Sequence, residues 1–442
     1  MQRKLMMELV RWKDKEDRKP LILEGARQVG KTYLLKEFGE EHYKNIVYLN
    51  FQNPSEELVN IFSGSIEAMR IISALEVMLN EEIKPGETLL IFDEIQELPS
   101  ALTSLKYFFE DAPEYHVVSA GSLLGIFLHP GTSFPVGKVN KLRLEPMDFE
   151  EFLWANGREE LVRYMKADKN EIVFVEILTD LFREYLMVGG MPEAVGNWVE
   201  NKNVENVDRI LGNILDNYRG DFSKHTDETT AVRIRQVFDS LPAQFAKNND
   251  KFVYGVARAG ARGRDYELAI EWLIDAGIVR RVTKVTRGDK LPVRAYEERT
   301  SFKLYFLDVG LFRKLADIPT KIGFAKSAIF DEYNGLIAEQ YVCQQLADRK
   351  LFYWTSESES EVDFITQIGG DVVPIEVKSG TNVKAKSLRF FREKYKTRFA
   401  VRFSLLPLKY DAGLLNIPLY TSWKFDALVQ DYLRVGSEWR EP

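Results

Sequence analysis

Residues 21–32 read LILEGARQVGKT, an apolar run that breaks into the pattern G-x-x-x-x-G-K-T and continues as a helical sequence. A phosphate-binding loop requires this order of strand, glycine loop and helix, because glycines let backbone N–H groups approach a triphosphate. The N-terminus of the following helix adds its partial positive charge. The residues predicted to contact a nucleotide are Gly25, Arg27, Gln28, Val29, Gly30, Lys31, Thr32 and Tyr33.

A second apolar run, residues 88–94, ends in the acidic pair Asp93 and Glu94. This is the pattern of a buried parallel strand whose C-terminal edge faces a ligand. We expect Lys31 to reach the β- and γ-phosphates and Thr32 to hold Mg²⁺ through its hydroxyl. Asp93 would support the metal, and Glu94 would activate an attacking water. The two motifs together predict ATP and Mg²⁺ as cofactors and ATP hydrolysis as the reaction.

A third strand candidate, residues 116–122, ends in Gly-Ser. If this strand lies between the other two, Ser122 would contact the γ-phosphate, with Ser119 as the alternative. The other reading is an ordinary strand-end turn. The strand at 46–51 falls between the two nucleotide motifs in sequence, which we interpret as the mark of ATPases with a catalytic glutamate. The predicted parallel strands of this α/β region are 21–25, 46–51, 88–93, 115–120 and 139–144.

Composition restricts the class of protein. A chain of 442 residues is too long for one core, so two or three domains are expected. The net charge of −7 argues against attraction of the whole protein to nucleic acid, although a local basic groove remains compatible with it. The single cysteine, Cys343, excludes a disulfide framework and favours the cytoplasm. No segment is long and apolar enough to predict a signal peptide or a membrane span.

A helical lid is predicted after the parallel sheet, within residues 156–228, where a Gly-Gly-Met-Pro break separates helical stretches. Three cations in or before it, Lys138, Arg183 and Arg219, could each stabilise charge on the γ-phosphate. The cation could act in its own chain or come from a neighbouring subunit of an oligomer. Each could equally be a surface residue or a salt-bridge partner.

Residues 229–318 have the pattern of a winged-helix-like segment, with helices at about 231–246 and 265–276 followed by two strands. The second helix carries Leu268, Trp272, Leu273 and Ala276 at helical spacing, and we expect these side chains in the core. Arginines before and after this helix suggest DNA contact. Docking of a protein partner is an equally common use of such modules.

Residues 319–442 carry a second set of acids. Glu339 lies in a helical run, Asp363 and Glu376 lie on neighbouring strand candidates, and Lys378 projects to the same face as Glu376. The two carboxylates could bind Mg²⁺, and Lys378 could stabilise a phosphate or orient a water. This is the arrangement of restriction-type nucleases, although an amphipathic hairpin with outward charges would also fit. A basic helical run at 384–398 suggests either phosphate contact or a solvated helix face.

Five motifs in this order make the chain resemble prokaryotic AAA-type ATP-binding proteins that end in a domain of unknown function. The motifs are GARQVGKT (25–32), FDEIQ (92–96), LMVGGMP (186–192), FKLYFLDVG (302–310) and EVD…IEVK (361–378). The resemblance covers essentially the whole chain. One departure is that Gly137-Lys138 stands where the family often has Gly-Arg.

The resemblance implies a P-loop ATPase core at 1–155, a helical lid at 156–228, a winged-helix-like segment at 229–318 and a restriction-endonuclease-like α/β domain at 319–442. It implies an ATPase in which Lys31, Thr32, Asp93, Glu94 and Ser122 form the nucleotide site. Two hypotheses compete for the purpose of the ATP. The first is DNA binding or processing by the last domain; the second is a nucleotide-dependent switch or protein-interaction module in which that domain is inactive.

Overall fold

The computed structural model describes residues 1–121, 135, 137–167, 174–224, 226–246, 251–319, 329–356, 360–381 and 386–438. These residues divide into two compact units. The first comprises residues 1–145 with 275–277, and the second comprises 146–274 and 278–442. The predicted domain boundaries inside the second unit stay a prediction. No helix among the described residues is long and apolar enough to cross a membrane.

The first unit alternates strands and helices, as the apolar runs predict. Its helices are α1 (Leu5–Lys13), α2 (Lys31–His42), α3 (Glu56–Ser63), α4 (Ala68–Leu79) and α5 (Pro99–Asp111). Its strands are β1 (Leu21–Glu24), β2 (Asn45–Asn50), β3 (Thr88–Asp93), β4 (His116–Ala120) and β5 (Asn140–Arg143). Helices α1 and α3 are additional to the sequence prediction.

All five strands are parallel and stand in the order β2-β3-β4-β1-β5. Every residue of β3 is buried, which explains why residues 89–92 form a continuous apolar run rather than an alternating pattern. The strand that separates the loop strand β1 from the acidic strand β3 in space is β4, as predicted for residues 116–122. Strand β2 lies at the edge beside β3. Strand β2 therefore lies between the two nucleotide motifs in sequence, whereas β4 lies between their strands in the sheet.

The second unit has helices along its whole length. They are α6 (Phe149–Ala155), α7 (Glu159–Lys166), α8 (Val175–Val188), α9 (Pro192–Asn201), α10 (Val204–Asp221), α11 (Glu228–Ala246), α12 (Tyr254–Ala257), α13 (Gly263–Asp275), α14 (Val309–Leu315), α15 (Ile329–Gln345), α16 (Lys386–Tyr395) and α17 (Phe425–Glu438). Short 3-10 segments cover Val293–Tyr296 and Leu419–Lys424. The Gly-Gly-Met-Pro break lies where predicted, because α8 ends at Val188 and α9 starts at Pro192.

One mixed sheet runs through the second unit. Its strands are β6 (Val279–Val285), β7 (Glu297–Phe306), β8 (Phe352–Thr355), β9 (Glu361–Ile368), β10 (Asp371–Val377), β11 (Ala400–Ser404), β12 (Lys409–Asp411) and β13 (Leu414–Pro418). They stand in the order β12-β13-β11-β10-β9-β8-β6-β7. The β6–β7 hairpin, which sequence analysis assigns to the winged-helix-like segment, thus extends the sheet of the C-terminal region through the parallel pair β6–β8.

Two of the sequence motifs pack against each other in the second unit. The Asp308 carboxylate accepts hydrogen bonds from the backbone N–H of Gly190 at 2.6 Å and of Leu311 at 2.9 Å. A Cβ added to Gly310 would lie 2.4 Å from the carbonyl oxygen of Val188, closer than real contacts allow. The glycines of both motifs therefore serve close backbone packing between α8 and α14.

The expectation that Leu268 lies in the core is wrong. Its side chain is 74% exposed, whereas Trp272, Leu273 and Ala276 are buried as predicted. The centre of the buried face of α13 runs through Tyr266, Ala269, Ile270 and Leu273, and Trp272 lies at its edge. At about 100° per residue, Leu268 falls on the opposite side of this helix.

Candidate nucleotide site and acidic cluster

The loop between β1 and α2 is shaped by glycines in positions where a side chain would not fit. Gly25 has φ +150°, and a Cβ there would lie 2.3 Å from the carbonyl oxygen of Leu144. Gly30, just before α2, has φ +93°, a conformation that L-residues rarely adopt. The loop thus wraps closely over the end of β5 and turns directly into the helix N-terminus, which is the arrangement that presents backbone N–H groups to an anion.

Lys31 lies buried inside this loop. Its Nζ donates to the carbonyl oxygens of Gly25 at 3.0 Å and Ala26 at 2.9 Å. Burial lowers the pKa of Lys31 to about 8, although the carboxylates of Glu94 and Asp93 act in the opposite direction. A buried ammonium whose hydrogen bonds go to carbonyl oxygens gains from an added anionic partner, and a phosphate would supply one.

Asp93 joins the acidic strand to the loop. The hydroxyl of Thr32 donates to its Oδ2 at 2.9 Å, and the hydroxyl of Tyr48 donates to the same oxygen at 2.7 Å. The Asp93 side chain is almost fully buried. Sequence analysis missed Tyr48. Its signal was a polar-tipped aromatic residue on β2, the strand that pairs with β3 in register Tyr48–Ile91.

Glu94 follows in an unusual backbone conformation. It has φ +50°, in the left-handed region, and its carboxylate accepts a hydrogen bond from the side-chain amide of Gln96. Gln96 is buried, and its Oε1 has no hydrogen-bond partner among the described residues. Backbone strain of this kind persists where the surrounding structure fixes it, and it concentrates at functional sites.

The other residues predicted to contact the nucleotide differ in their exposure and in their hydrogen-bond partners. Tyr33 is exposed on the first turn of α2, and the Val29 carbonyl accepts a hydrogen bond from buried Arg3 at 2.9 Å. Arg3, which sequence analysis missed, also donates to the Glu145 carbonyl. Ser122 lies outside the described residues. Its alternative, Ser119, is fully buried and donates to the Leu21 carbonyl at 3.0 Å, so it serves the packing of β4 on β1.

Each candidate cation for the γ-phosphate has an acidic partner. Lys138 pairs with Glu110 at 2.8 Å, and Arg183 pairs with Asp180 on its own helix at 2.7 Å. Arg219 contacts both Asp216 and Asp239. These ion pairs agree with the alternative reading of surface salt-bridge residues.

In the second unit, the four predicted C-terminal residues converge. Strands β9 and β10 form an antiparallel hairpin that carries Asp363 and Glu376, both buried. The Asp363 Oδ2 accepts the backbone N–H of Val377 at 2.6 Å, and Lys378 Nζ lies 2.5 Å from Glu376 Oε1. Glu339 approaches from α15 and interacts electrostatically with Asp363 and Lys378.

Strand β7 adds residues to this acidic cluster that sequence analysis missed. Lys303 forms an ion pair with Glu361, and the hydroxyl of Tyr305 donates to Glu339 at 3.2 Å. A pocket of about 390 Å³ opens beside Lys303 and Glu339. The alternation of Phe302-Lys303-Leu304-Tyr305 signalled a half-buried strand, but the partners of its polar side chains lie far away in sequence.

Burial dominates the electrostatics of the acidic cluster. It raises the pKa of Asp363, and the neighbouring carboxylates of Glu339 and Glu376 raise it further. Burial also raises the pKa of Glu339 and of Glu376, against the opposing effect of nearby lysines. The Glu376 Oε2 has no hydrogen-bond partner among the described residues. Within that same part of the chain, no three His, Cys, Asp or Glu side chains are grouped to hold a metal ion.

Family models match three segments of the chain. Residues 17–153 match the AAA domain, residues 179–322 match a domain of unknown function (DUF8612), and residues 334–421 match another (DUF4143). With its parallel five-stranded sheet and phosphate-binding loop, the first segment is an AAA-type P-loop domain. No curated protein matches the chain.

Several solved structures match at low sequence identity. The Walker-type ATPase PABY2304 of Pyrococcus abyssi is 13% identical, with 71% of this chain and 95% of that chain covered and a TM-score of 0.43. AMPPCP-bound DnaA from Aquifex aeolicus is 15% identical over 61% and 86%, with a TM-score of 0.30. The RuvB Holliday junction branch migration motor of Thermotoga maritima is 16% identical over 63% and 87%, with a TM-score of 0.30.

Proposed function

We propose that the AAA-type domain binds ATP with Mg²⁺ and hydrolyses it. The observation that carries this proposal is the 2.9 Å contact between Thr32 Oγ1 and Asp93 Oδ2, which joins the phosphate-binding loop to the tip of the acidic strand. A hydroxyl from the loop and a carboxylate from a second parallel strand are the two protein groups that P-loop proteins bring to the metal.

Each residue of the site has a distinct role in this proposal. The backbone N–H groups of residues 25–32 and the Lys31 ammonium bind the phosphates. Glu94 orients the attacking water and accepts its proton. Ser122 senses the γ-phosphate, and a cation from this chain or from a neighbouring subunit stabilises the charge that develops there. The cytoplasm is proposed as the compartment, on the basis of the single cysteine.

The donor groups of the nucleotide site suit magnesium. Thr32 and Asp93 offer oxygen ligands, and Mg²⁺ commonly takes one or two protein oxygens together with phosphate oxygens and water. Magnesium, when bound with ATP, offsets part of the charge on the phosphates. The Asp93 Oδ2 accepts hydrogen bonds from the hydroxyls of Thr32 and Tyr48, which hold this carboxylate beside the loop.

Phosphate release from ATP tests the proposal with the variants Lys31→Ala and Glu94→Gln. We expect Lys31→Ala to lose ATP binding, and Glu94→Gln to bind ATP but turn it over about a hundredfold more slowly, since general-base catalysis typically contributes that much. Glu97→Gln is the matched control, because it removes an exposed carboxylate three residues away and should retain full turnover. Equal turnover in all four proteins would remove the assignment.

A second candidate function is nucleic-acid processing by the C-terminal region. The supporting observation is the convergence of Glu339, Asp363, Glu376 and Lys378, with Glu376 Oε2 left unpartnered in a buried position. An unpaired buried carboxylate oxygen is costly, so a cation is a natural partner for it. This supports a nuclease-like arrangement that could take Mg²⁺ on Asp363 and Glu376.

The same cluster also supports the alternative of an inactive domain in a nucleotide-dependent switch. Glu376 is paired with Lys378, Glu361 with Lys303, and Asp363 with a backbone N–H. The described residues lack a group of three metal-binding side chains, so the cluster does not fit a three-ligand metal centre. We therefore derive no cleavage step. We propose that the C-terminal region binds a partner, a nucleic acid or a protein, whether or not it cleaves nucleic acid.

Plasmid nicking with Mg²⁺ or Mn²⁺ separates the two readings. An active nuclease requires metal-dependent nicking by the wild type that disappears in Asp363→Asn. Asp371→Asn, at a half-buried acid on the same hairpin that pairs with Arg398, should retain the nicking. An inactive domain predicts no nicking under any metal. In that case a pull-down whose captured partner differs between ATP and ADP would support the switch, and an identical capture would contradict it.

A further inference from the structure

The turn after β6 and helix α16 form one surface, although they are about a hundred residues apart in sequence. A Cβ added to Gly288 in this turn would lie 2.1 Å from the ring of Phe391 on α16. Val285 and Val293, at the two ends of the turn, belong to the same buried cluster as Leu388 and Phe391. The shared core fixes the turn against the helix, so their exposed side chains lie side by side.

This surface is strongly basic. We define the basic face by six exposed cations together with Phe390; the cations are Arg287, Lys290, Lys386, Arg389, Lys394 and Lys396. The two segments that supply them, 286–292 and 386–396, contain only the acids Asp289 and Glu393. A local excess of positive charge in a protein of net charge −7 indicates a binding surface for an anionic partner.

Four of these six cations have no acidic partner among the residues that the structure describes, and one of the four, Lys394, lies over aromatic rings instead. Arg287 pairs with Asp289 at 3.0 Å, and Lys290 lies 4.0 Å from the same carboxylate. Lys386, Arg389 and Lys396 have no acidic partner among the residues that the structure describes. Exposed, unpaired cations on adjoining segments are suited to the repeating phosphates of a nucleic-acid backbone.

An exposed aromatic side chain lies among these cations. Phe390 is 40% exposed. On α16 it has Lys386 and Lys394 one turn away on either side, and the Lys394 ammonium lies 6.0 Å from its ring centroid. One side of the Phe390 ring lies against Trp354, with ring centroids 6.2 Å apart, and the remaining exposed part is open to stacking by a flat partner.

We propose that the basic face binds a single-stranded nucleic acid, with the cations contacting phosphates and Phe390 stacking on an unpaired base. The combination of backbone-tracking cations and a stacking aromatic is how single strands are bound without base-specific hydrogen bonds. A regular duplex keeps its bases stacked inside and offers Phe390 no partner. This inference deepens the nucleic-acid role proposed above, but it requires neither ATP hydrolysis nor strand cleavage.

Fluorescence anisotropy of the full-length protein with labelled oligothymidylate of about 20 nucleotides tests the charge contribution. We expect the double variant Lys386→Glu/Arg389→Glu to weaken binding at least tenfold, and the slope of log affinity against log salt to fall by about two. The control is Lys15→Glu/Arg163→Glu, which makes the same change in net charge at two other exposed positions. A matched oligouridylate separates DNA from RNA as the source of the strand.

The stacking contribution is tested with Phe390→Ala and Phe390→Tyr. We expect Phe390→Ala to weaken single-strand binding about tenfold while leaving binding to a duplex of the same length unchanged, and Phe390→Tyr to retain most of the affinity. Circular dichroism verifies that each variant is folded. A duplex bound as tightly as the single strand, or an equal loss in the charge control, would overturn the proposal.

The outcome can be told apart from failure of the functions proposed earlier. Binding is measured without ATP and without divalent metal, so an inactive ATPase or an inactive nuclease leaves the anisotropy experiment intact. Wild-type protein that binds no oligonucleotide at low salt would refute the basic face even if ATP turnover were demonstrated.

Discussion

At the scale of single residues, Asp93 organises the candidate nucleotide site. It is a buried carboxylate, and burying a charge is costly unless hydrogen bonds compensate. Two hydroxyls, from Thr32 on α2 and Tyr48 on β2, donate to one of its oxygens. One acid therefore ties together the phosphate-binding loop, the acidic strand and the edge strand of the sheet.

Replacing Tyr48 by phenylalanine should destabilise the first unit by about 1.5–3 kcal/mol, since a hydrogen bond to a charged group contributes about that much. The hydroxyl of Tyr48 donates to Asp93 at 2.7 Å, and its loss leaves the carboxylate with one hydroxyl donor fewer. Urea unfolding measures the change. Tyr115→Phe is the control, because Tyr115 has no hydrogen-bonded partner for its hydroxyl among the described residues. Identical midpoints for both variants would contradict the prediction.

His116, at the start of β4, should make stability depend on pH. Its Nδ1 lies 2.7 Å from the hydroxyl of Tyr43, and burial lowers the pKa of His116 to about 4. Because the folded state favours the neutral ring, its contribution is complete above the unfolded pKa of about 6.5 and is lost as pH falls towards 4.

The free energy of unfolding of the wild type should therefore drop by about 2 kcal/mol more than that of His116→Gln between pH 7 and pH 4. Denaturant titrations at several pH values measure both slopes. The comparison uses how steeply the free energy of unfolding of each protein changes with pH, because the substitution itself changes packing at every pH. Parallel pH profiles for the two proteins would show that His116 does not titrate as described.

At the scale of elements, close backbone contacts explain the glycines of the LMVGGMP and FKLYFLDVG motifs. Gly189, Gly190 and Gly310 lie where α8, α9 and α14 meet, and each lacks room for a side chain. The buried Asp308 caps α14 by accepting the N–H of Leu311 and also accepts the N–H of Gly190. A helix N-cap and a tertiary contact thus share one carboxylate.

Gly310→Ala should destabilise the second unit by about 1–3 kcal/mol or more, although alanine is the better helix former. The added Cβ would lie 2.4 Å from the Val188 carbonyl oxygen, and a backbone atom cannot move aside cheaply. Gly220→Ala on α10 is the matched control, because nothing lies within 4 Å of its added Cβ. We expect this control to be neutral or slightly stabilising in thermal unfolding; a stabilised Gly310→Ala would contradict the packing argument.

At the scale of the whole molecule, the described residues form two compact units with separate sheets. A nucleotide that binds only the folded first unit must stabilise that unit by mass action. At a concentration one hundred times the dissociation constant this amounts to about 2.7 kcal/mol. Because chains with two units often unfold in more than one step, the effect should concentrate in one transition.

Thermal unfolding with Mg²⁺ and ATP should therefore shift one transition upward by about 8 °C and leave the other unchanged. Lys31→Ala should show no shift, since the buried ammonium is the main charged partner proposed for the phosphates. Differential scanning calorimetry resolves the two transitions. A shift of equal size in Lys31→Ala would mean that ATP binds elsewhere.

The sequence by itself determined the first sheet and the loop and acid pair of its candidate nucleotide site. Glycine spacing, an apolar strand before the loop and an acid pair after a buried strand are local patterns, and local backbone chemistry enforces them. The D…E-x-K hairpin was predictable for the same reason, because its two strands are joined by a short Gly369-Gly370 turn and pair in register.

Only the tertiary structure decided which distant side chains meet. Tyr48 reaches Asp93 because β2 pairs with β3, and Lys303 reaches Glu361 because β7 belongs to the same sheet as β9. Leu268 was predicted wrongly because helical spacing allows more than one face, and packing selects among them. The turn that carries Arg287 lies beside α16 because a shared core holds them together, and contacts between segments so far apart follow from burial rather than from local sequence.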